Sequence, residues 1–181
     1  ESSVALTTVD GNVAATKSLT IDLTTLVNNA SGTIDISAET NGAITILAGA
    51  GGTTATLSSS SMGDTVTGAA GVEAITVLDD QLTSADTLDG GGGTDTLTIS
   101  GNGVLADSDF TNVSNFETLI LGGTSGQANT FVLGAEYAAS GLKTITSQAT
   151  NDTITFGAGV TTAQTVTFEE GTTNYDHSDA E

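Results

Sequence analysis

The chain predicts an all-β fold: a right-handed parallel β-solenoid, of the β-roll or β-helix kind, with Gly- and Asp-rich turns. Three observations predict it. Short runs of alternating apolar residues recur at roughly 9 to 13 residues, too close together for crossover helices and steady enough to be a repeat. The runs of the second half have the form Thr-apolar-Thr or close to it, which puts β-branched Thr on one strand face and Ile, Val or Leu on the other. The 181 residues include 23 Gly but no Pro, Cys or Trp, a bias that suits repeated strands joined at Gly, Asn and Asp corners. A β-sandwich assembled from the same short strands is the alternative architecture.

Residues 4–9 and 19–23 alternate as strands, and Asp10, Gly11 and Asn12 mark the turn after the first. Residues 24–29 fit either a short helix or a corner. Further strands are expected at 33–36, 43–46, 54–57, 65–67 and 74–77, separated by clusters of Gly, Asn or Ser. Beyond residue 100 they are expected at 117–121, 130–133, 143–146, 152–156 and 164–168, with 136–139 as the other stretch able to turn helical. All five Phe, at 110, 116, 131, 156 and 168, lie in the second half, where they serve as core or capping residues. This divides the chain into an N-terminal β-rich segment (1–60), a solenoid (61–168) and an acidic tail (169–181). The tail is expected to be disordered or to join a further segment. Glu1 stands where an initiator Met would, so a processed chain or a piece of a longer one is expected.

Residues 90–98 fit the nonapeptide G-G-x-G-x-D-x-U-x at every specified position, with Gly90, Gly91, Gly93, Asp95 and Leu97. Glycines let carbonyl oxygens turn inward, Asp95 adds a carboxylate, and Leu97 begins a buried strand. Residues 81–89 keep the frame through Ser84, Asp86 and Leu88, without the glycines. Two such turns in register offer oxygens from both to one Ca²⁺, which takes six to eight hard ligands. The candidate metal site is therefore Asp79, Asp80, Asp86, Asp89 and Asp95 with Gly90, Gly91 and Gly93. Asp64 and Asp152 are expected to form Asx turns, and Asp107 and Asp109 an acidic loop.

Residues 95–100 lead to a second motif, V-x-x-F-E-x-L-x-L, carried by Val113, Phe116, Glu117, Leu119 and Leu121. With the nonapeptide, it resembles the repeats-in-toxin class of secreted calcium-binding proteins. It is similar to segments of large bacterial surface-layer proteins and adhesins exported by type I secretion. The resemblance covers about residues 60–160, and this chain has one complete nonapeptide rather than a long array. It implies bound Ca²⁺, secretion, an extracellular place on the cell surface, and assembly with copies of itself.

The formal charge is −20, from 22 acidic residues against Lys17 and Lys143. Such a chain cannot build the basic patch that nucleic acid or an anionic membrane requires, and it has no apolar stretch of spanning length. Divalent cations are its natural partners, and without Cys a bound metal is the obvious staple. An enzyme is not expected. His177 is the one histidine and sits in the polar tail, while the glycine run lacks the Lys-Ser/Thr of a phosphate loop. The expected function is an extracellular structural module of a bacterial surface layer or surface filament, self-assembling with calcium. The alternative is a calcium-dependent adhesin module that binds a glycan such as cell-surface polysaccharide, a cell surface, or ice. It would use Thr-x-Thr triplets at 65/67, 96/98, 144/146, 153/155 and 165/167.

Overall fold

The computed structural model describes residues 3–26, 30–78, 81–101, 103–122, 129–149 and 152–169, together with the backbone of 175–176. The first strands in chain order are β1 (Val4–Thr7), β2 (Ser18–Asp22), β3 (Gly32–Asp35), β4 (Ala43–Leu47), β5 (Thr53–Thr56) and β6 (Thr65–Thr67). Next come β7 (Glu73–Leu78), β8 (Thr87–Asp89), β9 (Thr96–Ser100), β10 (Val104–Leu105), a 3₁₀ turn at Asp107–Phe110, β11 (Val113–Ser114) and β12 (Thr118–Leu121). The last are β13 (Thr130–Leu133), α1 (Ala135–Ala139), β14 (Thr144–Ser147), β15 (Thr153–Phe156), β16 (Thr165–Phe168) and β17 (Tyr175–Asp176).

These strands make a parallel β-solenoid, not a sandwich. The first sheet runs β1-β3-β5-β7-β9-β12-β14-β16, the second β11-β8-β6-β4-β2, and the third β10-β13-β15-β17. Every strand pair is parallel. In the N-terminal part the chain alternates between the first and second sheets, so one coil holds two strands and a strand's neighbour lies two strands on. Coil length runs from 20 residues (Thr53 to Glu73) to 28 (Val4 to Gly32). Strands from either side of residue 60 share the first two sheets.

The dyad pattern explains the wall. In the first sheet Ile34, Ala55, Ile75, Leu97, Leu119 and Ile145 stack inward as one row, each at most 1% exposed. The second sheet answers with Ile46, Val66 and Leu88. Burying one such side chain fully stabilises by about 1.5–3 kcal/mol, so a row repeated coil after coil supplies the core without large rings.

The coil widens after β9. A third sheet begins at β10, the 3₁₀ turn and α1 pack together, and the register step grows to 26 residues between Thr118 and Thr144. Aromatic residues fill the extra width: Phe110 and Tyr137 meet edge to face with centroids 5.6 Å apart, and Phe156 lies 6.3 Å from Tyr137. The helix at 135–139 has a local cause as well. Asp107, from the coil before, accepts the N–H groups of Gly134 (2.7 Å), Glu136 (3.2 Å) and Tyr137 (2.9 Å), which would otherwise be orphans of a helix start.

Candidate cation-binding corner

Each two-strand coil has two corners, and acidic residues stack in both. Before the second sheet the acids are Glu39, Asp64 and Asp86. Glu39 accepts the N–H groups of Val13 (3.1 Å), Asn41 (3.2 Å) and Gly42 (3.1 Å). Asp64 accepts those of Ile44 (3.1 Å) and Ser58 (2.9 Å), and its own N–H donates to Asp86 at 2.8 Å. The other oxygen of Asp86 accepts the Thr83 N–H (2.9 Å) and hydroxyl (3.2 Å). All six carboxylate oxygens are thus engaged by protein donors. Burial is the main reason the Asp64 carboxyl is pushed up, with the Asp86 charge adding to it and the Ser58 and Ile44 bonds opposing.

Before the first sheet the acids are Glu73, Asp95 and Glu117. The Glu73 N–H donates to Asp95 Oδ1 at 2.7 Å, and the Asp95 N–H to Glu117 Oε2 at 2.7 Å, each link spanning 22 residues. Glu73 and Asp95 are both 0% exposed. Here the oxygens are not used up: Glu73 Oε1 and Oε2 and Asp95 Oδ2 are buried without a hydrogen-bond partner, as is Thr53 Oγ1 one coil earlier. Burial, then the Asp95 charge, raises the Glu73 carboxyl to about 7, moderated by the nearby Ala69 N–H. Asp95 is raised as well, by burial first, against the Glu73 N–H bond, with the Glu117 and Asp89 charges adding to the rise.

The glycine run has a packing cause. A Cβ at Gly93 would run into the Gly71 carbonyl oxygen and one at Gly90 into that of Asn115, while Gly93 sits at φ +145° and Gly91 at +80°. Only glycine lets three coils approach this closely with such torsions. Asp89 clamps the same corner by accepting the Gly91 N–H (2.9 Å) and Asn115 Nδ2 (2.7 Å).

Of the residues proposed from sequence, the structure brings Asp89, Gly90, Gly91, Gly93 and Asp95 together at this corner, whereas Asp86 belongs to the other corner of the same coil. Asp86 and Asp95 therefore do not stack across turns: Asp86 lies against Asp64, and Asp95 between Glu73 and Glu117. Asp79, Asp80 and His177 lie outside the described residues. Asp64 and Asp152 clamp across the coils in place of Asx turns, Asp152 accepting from Asn129 Nδ2 (2.7 Å) and Ser147 Oγ (2.6 Å). Sequence reasoning missed Glu73, Glu117 and Thr53. For the two acids the signal was a 22-residue recurrence of the same corner, with Gly71 before Glu73, Gly93 before Asp95 and Asn115 before Glu117, each separated by one residue; Thr53 stands 20 residues before Glu73, outside that period.

Among the described residues no three His, Cys, Asp or Glu side chains converge as a complete metal cage, so a cation here would need hydroxyl or carbonyl oxygens besides the two carboxylates. No protein-family model, curated protein or solved structure matches the chain.

Proposed function

We propose that this chain is an extracellular structural module of a bacterial surface layer or surface filament, self-assembling with bound calcium, and not an enzyme. The observation that carries the proposal is the repeated coil itself: an eight-stranded parallel ladder built by restacking one simple unit, on a chain of net charge −20. A solenoid of this kind extends in one dimension by adding coils, and its ends and strand edges favour further pairing. Packing many such acidic units side by side requires counter-cations, and with two lysines the chain cannot supply them itself. The repeats-in-toxin resemblance adds calcium and export to this picture. Electron microscopy in millimolar Ca²⁺ and again in EDTA tests it. Ordered sheets or fibres that dissolve in EDTA are expected, and monodisperse particles in both would refute it.

One observation favours a second function, that of a calcium-dependent adhesin module that binds a glycan, a cell surface or ice. On the outward face of the first sheet, Thr96, Thr118, Thr144 and Thr165 form one row in register, and Thr76, Thr98, Thr146 and Thr167 stand in another that Ile120 interrupts. The strands repeat about every 4.8 Å, so the rows form a regular grid of hydroxyls. The remaining triplets, 65/67 and 153/155, lie in the other two sheets. Thermal hysteresis or retention on a polysaccharide column, without assembly, would select this function.

A further inference from the structure

We propose that Thr53, Glu73 and Asp95 form the seat of one Ca²⁺ ion inside the solenoid wall, beside the glycine run of residues 90–93 that Asp95 adjoins. The proposal rests on the calcium-dependent function above for the identity of the ion, and on the structure for its place.

Three successive coils put these residues at one register position: Thr53 pairs with Glu73, and the Glu73 N–H is bonded to Asp95. Each occupies an inward-facing place in its strand or just before it. Glu73 alternates with Ile75 and Val77, and Asp95 with Leu97 and Ile99, all buried. Four oxygens from three coils are consequently buried without a hydrogen bond of ordinary geometry, with the Ala69 N–H near Glu73 and the Glu73 and Asp95 carboxyls next to each other. Leaving buried carboxylate oxygens unpaired is costly, and folded proteins do so rarely unless something else is bound.

The opposite corner of the solenoid makes the contrast sharp. Glu39, Asp64 and Asp86 are as buried or nearly so, yet every carboxylate oxygen there accepts from the protein. Stacked acids in this fold are not inherently short of donors. Buried oxygens without partners occur elsewhere too, at Thr8 and Asn41, but among the described residues the unpartnered carboxylate oxygens all lie in one column. Continued by register, it runs Thr53, Glu73, Asp95, Glu117 and then Lys143, one of the two lysines in the chain. The donor set is oxygen only, without nitrogen or sulfur, which selects a hard cation over zinc or copper. These four oxygens are fewer than the six to eight that Ca²⁺ takes, so the seat requires further oxygens from the backbone around the corner.

Calorimetric titration of Ca²⁺ into the EDTA-stripped, dialysed chain tests the seat, using wild type, Glu73→Gln, Thr53→Val and Asp86→Asn. Glu73→Gln and Thr53→Val preserve shape, and their circular dichroism reports whether the fold is kept. Wild type is expected to bind with a Kd of about 10⁻⁴ to 10⁻³ M or tighter. Glu73→Gln should weaken one site at least tenfold and Thr53→Val weaken the same site less, while Asp86→Asn leaves it unchanged. Glu73→Gln binding as wild type does would overturn the seat. So would an infrared band of a protonated carboxyl, absent from Glu73→Gln, that persists in wild type at millimolar Ca²⁺, because Glu73 and Asp95 would then share a proton in place of an ion. If wild type binds through Glu73 but never assembles, the assembly function fails and the seat stands. If Glu73→Gln binds and assembles with calcium like wild type, the seat fails and the function stands.

Discussion

Without calcium, the Glu73 carboxyl should make the protein more stable as the solution is acidified from pH 8 to pH 5, and Glu73→Gln should remove much of that dependence. The folded-state carboxyl is raised from 4.5 to about 7, by burial first and then by the Asp95 charge. For an acid raised on folding, the penalty applies in full when both states are ionised, above about pH 7. It is relieved as the folded state takes up its proton between about 7 and 4.5, and below that both states are protonated. At about 1.4 kcal/mol per pH unit the penalty is about 3 kcal/mol, an upper bound because a folded protein screens charge more than a dry medium would. For a chain of this size that corresponds to a rise in Tm of about 6–12 °C. Thermal melts in EDTA at pH 8, 7, 6 and 5 give the difference between wild type and Glu73→Gln, which cancels the general repulsion of a −20 chain. The variant should melt higher at pH 8 and the two curves should converge by pH 5. Parallel curves across the range would refute the buried, unpaired carboxyl.

Three further outcomes follow from the packing. Gly93→Ala drives a methyl into the Gly71 carbonyl at a φ that side chains rarely adopt, and should cost about 1–3 kcal/mol in urea unfolding, more than Gly92→Ala, which meets little. Asp86→Ala strands the Asp64 and Thr83 N–H groups, so a loss of about 2–4 kcal/mol is expected from chemical denaturation, whatever the calcium level. Leu97→Ala removes a fully buried member of the inward row between Ile75 and Leu119 and should lower unfolding free energy by about 2–5 kcal/mol, with calorimetry as the check.

Much of the fold was legible because the strands carry their own signal. Thr-apolar-Thr runs at 65–67, 96–98, 144–146, 153–155 and 165–167 all became strands with the aliphatic residue inward. The clustering of Phe in the second half likewise matched the wider, ring-filled coil around Tyr137. The two-residue strands β10 and β11 and the 3₁₀ turn between them were not legible, since two residues show no period and Asp107 acts on a helix a whole coil away. The site was half legible for a geometric reason. A nine-residue frame aligns Asp86 with Asp95, but one coil contains two strands, so the residue stacked on Asp95 is found 22 positions away. That shift of frame exchanges Asp86 for Glu73, a residue in a stretch with no complete glycine motif.

A high-resolution map of the wild-type protein at pH 8 in millimolar Ca²⁺ is the most direct test of the acidic corner. The predicted result is one ion at about 2.3–2.6 Å from oxygens of Glu73 and Asp95. Two carboxyl groups hydrogen-bonded directly to each other, with no ion between them, would contradict it.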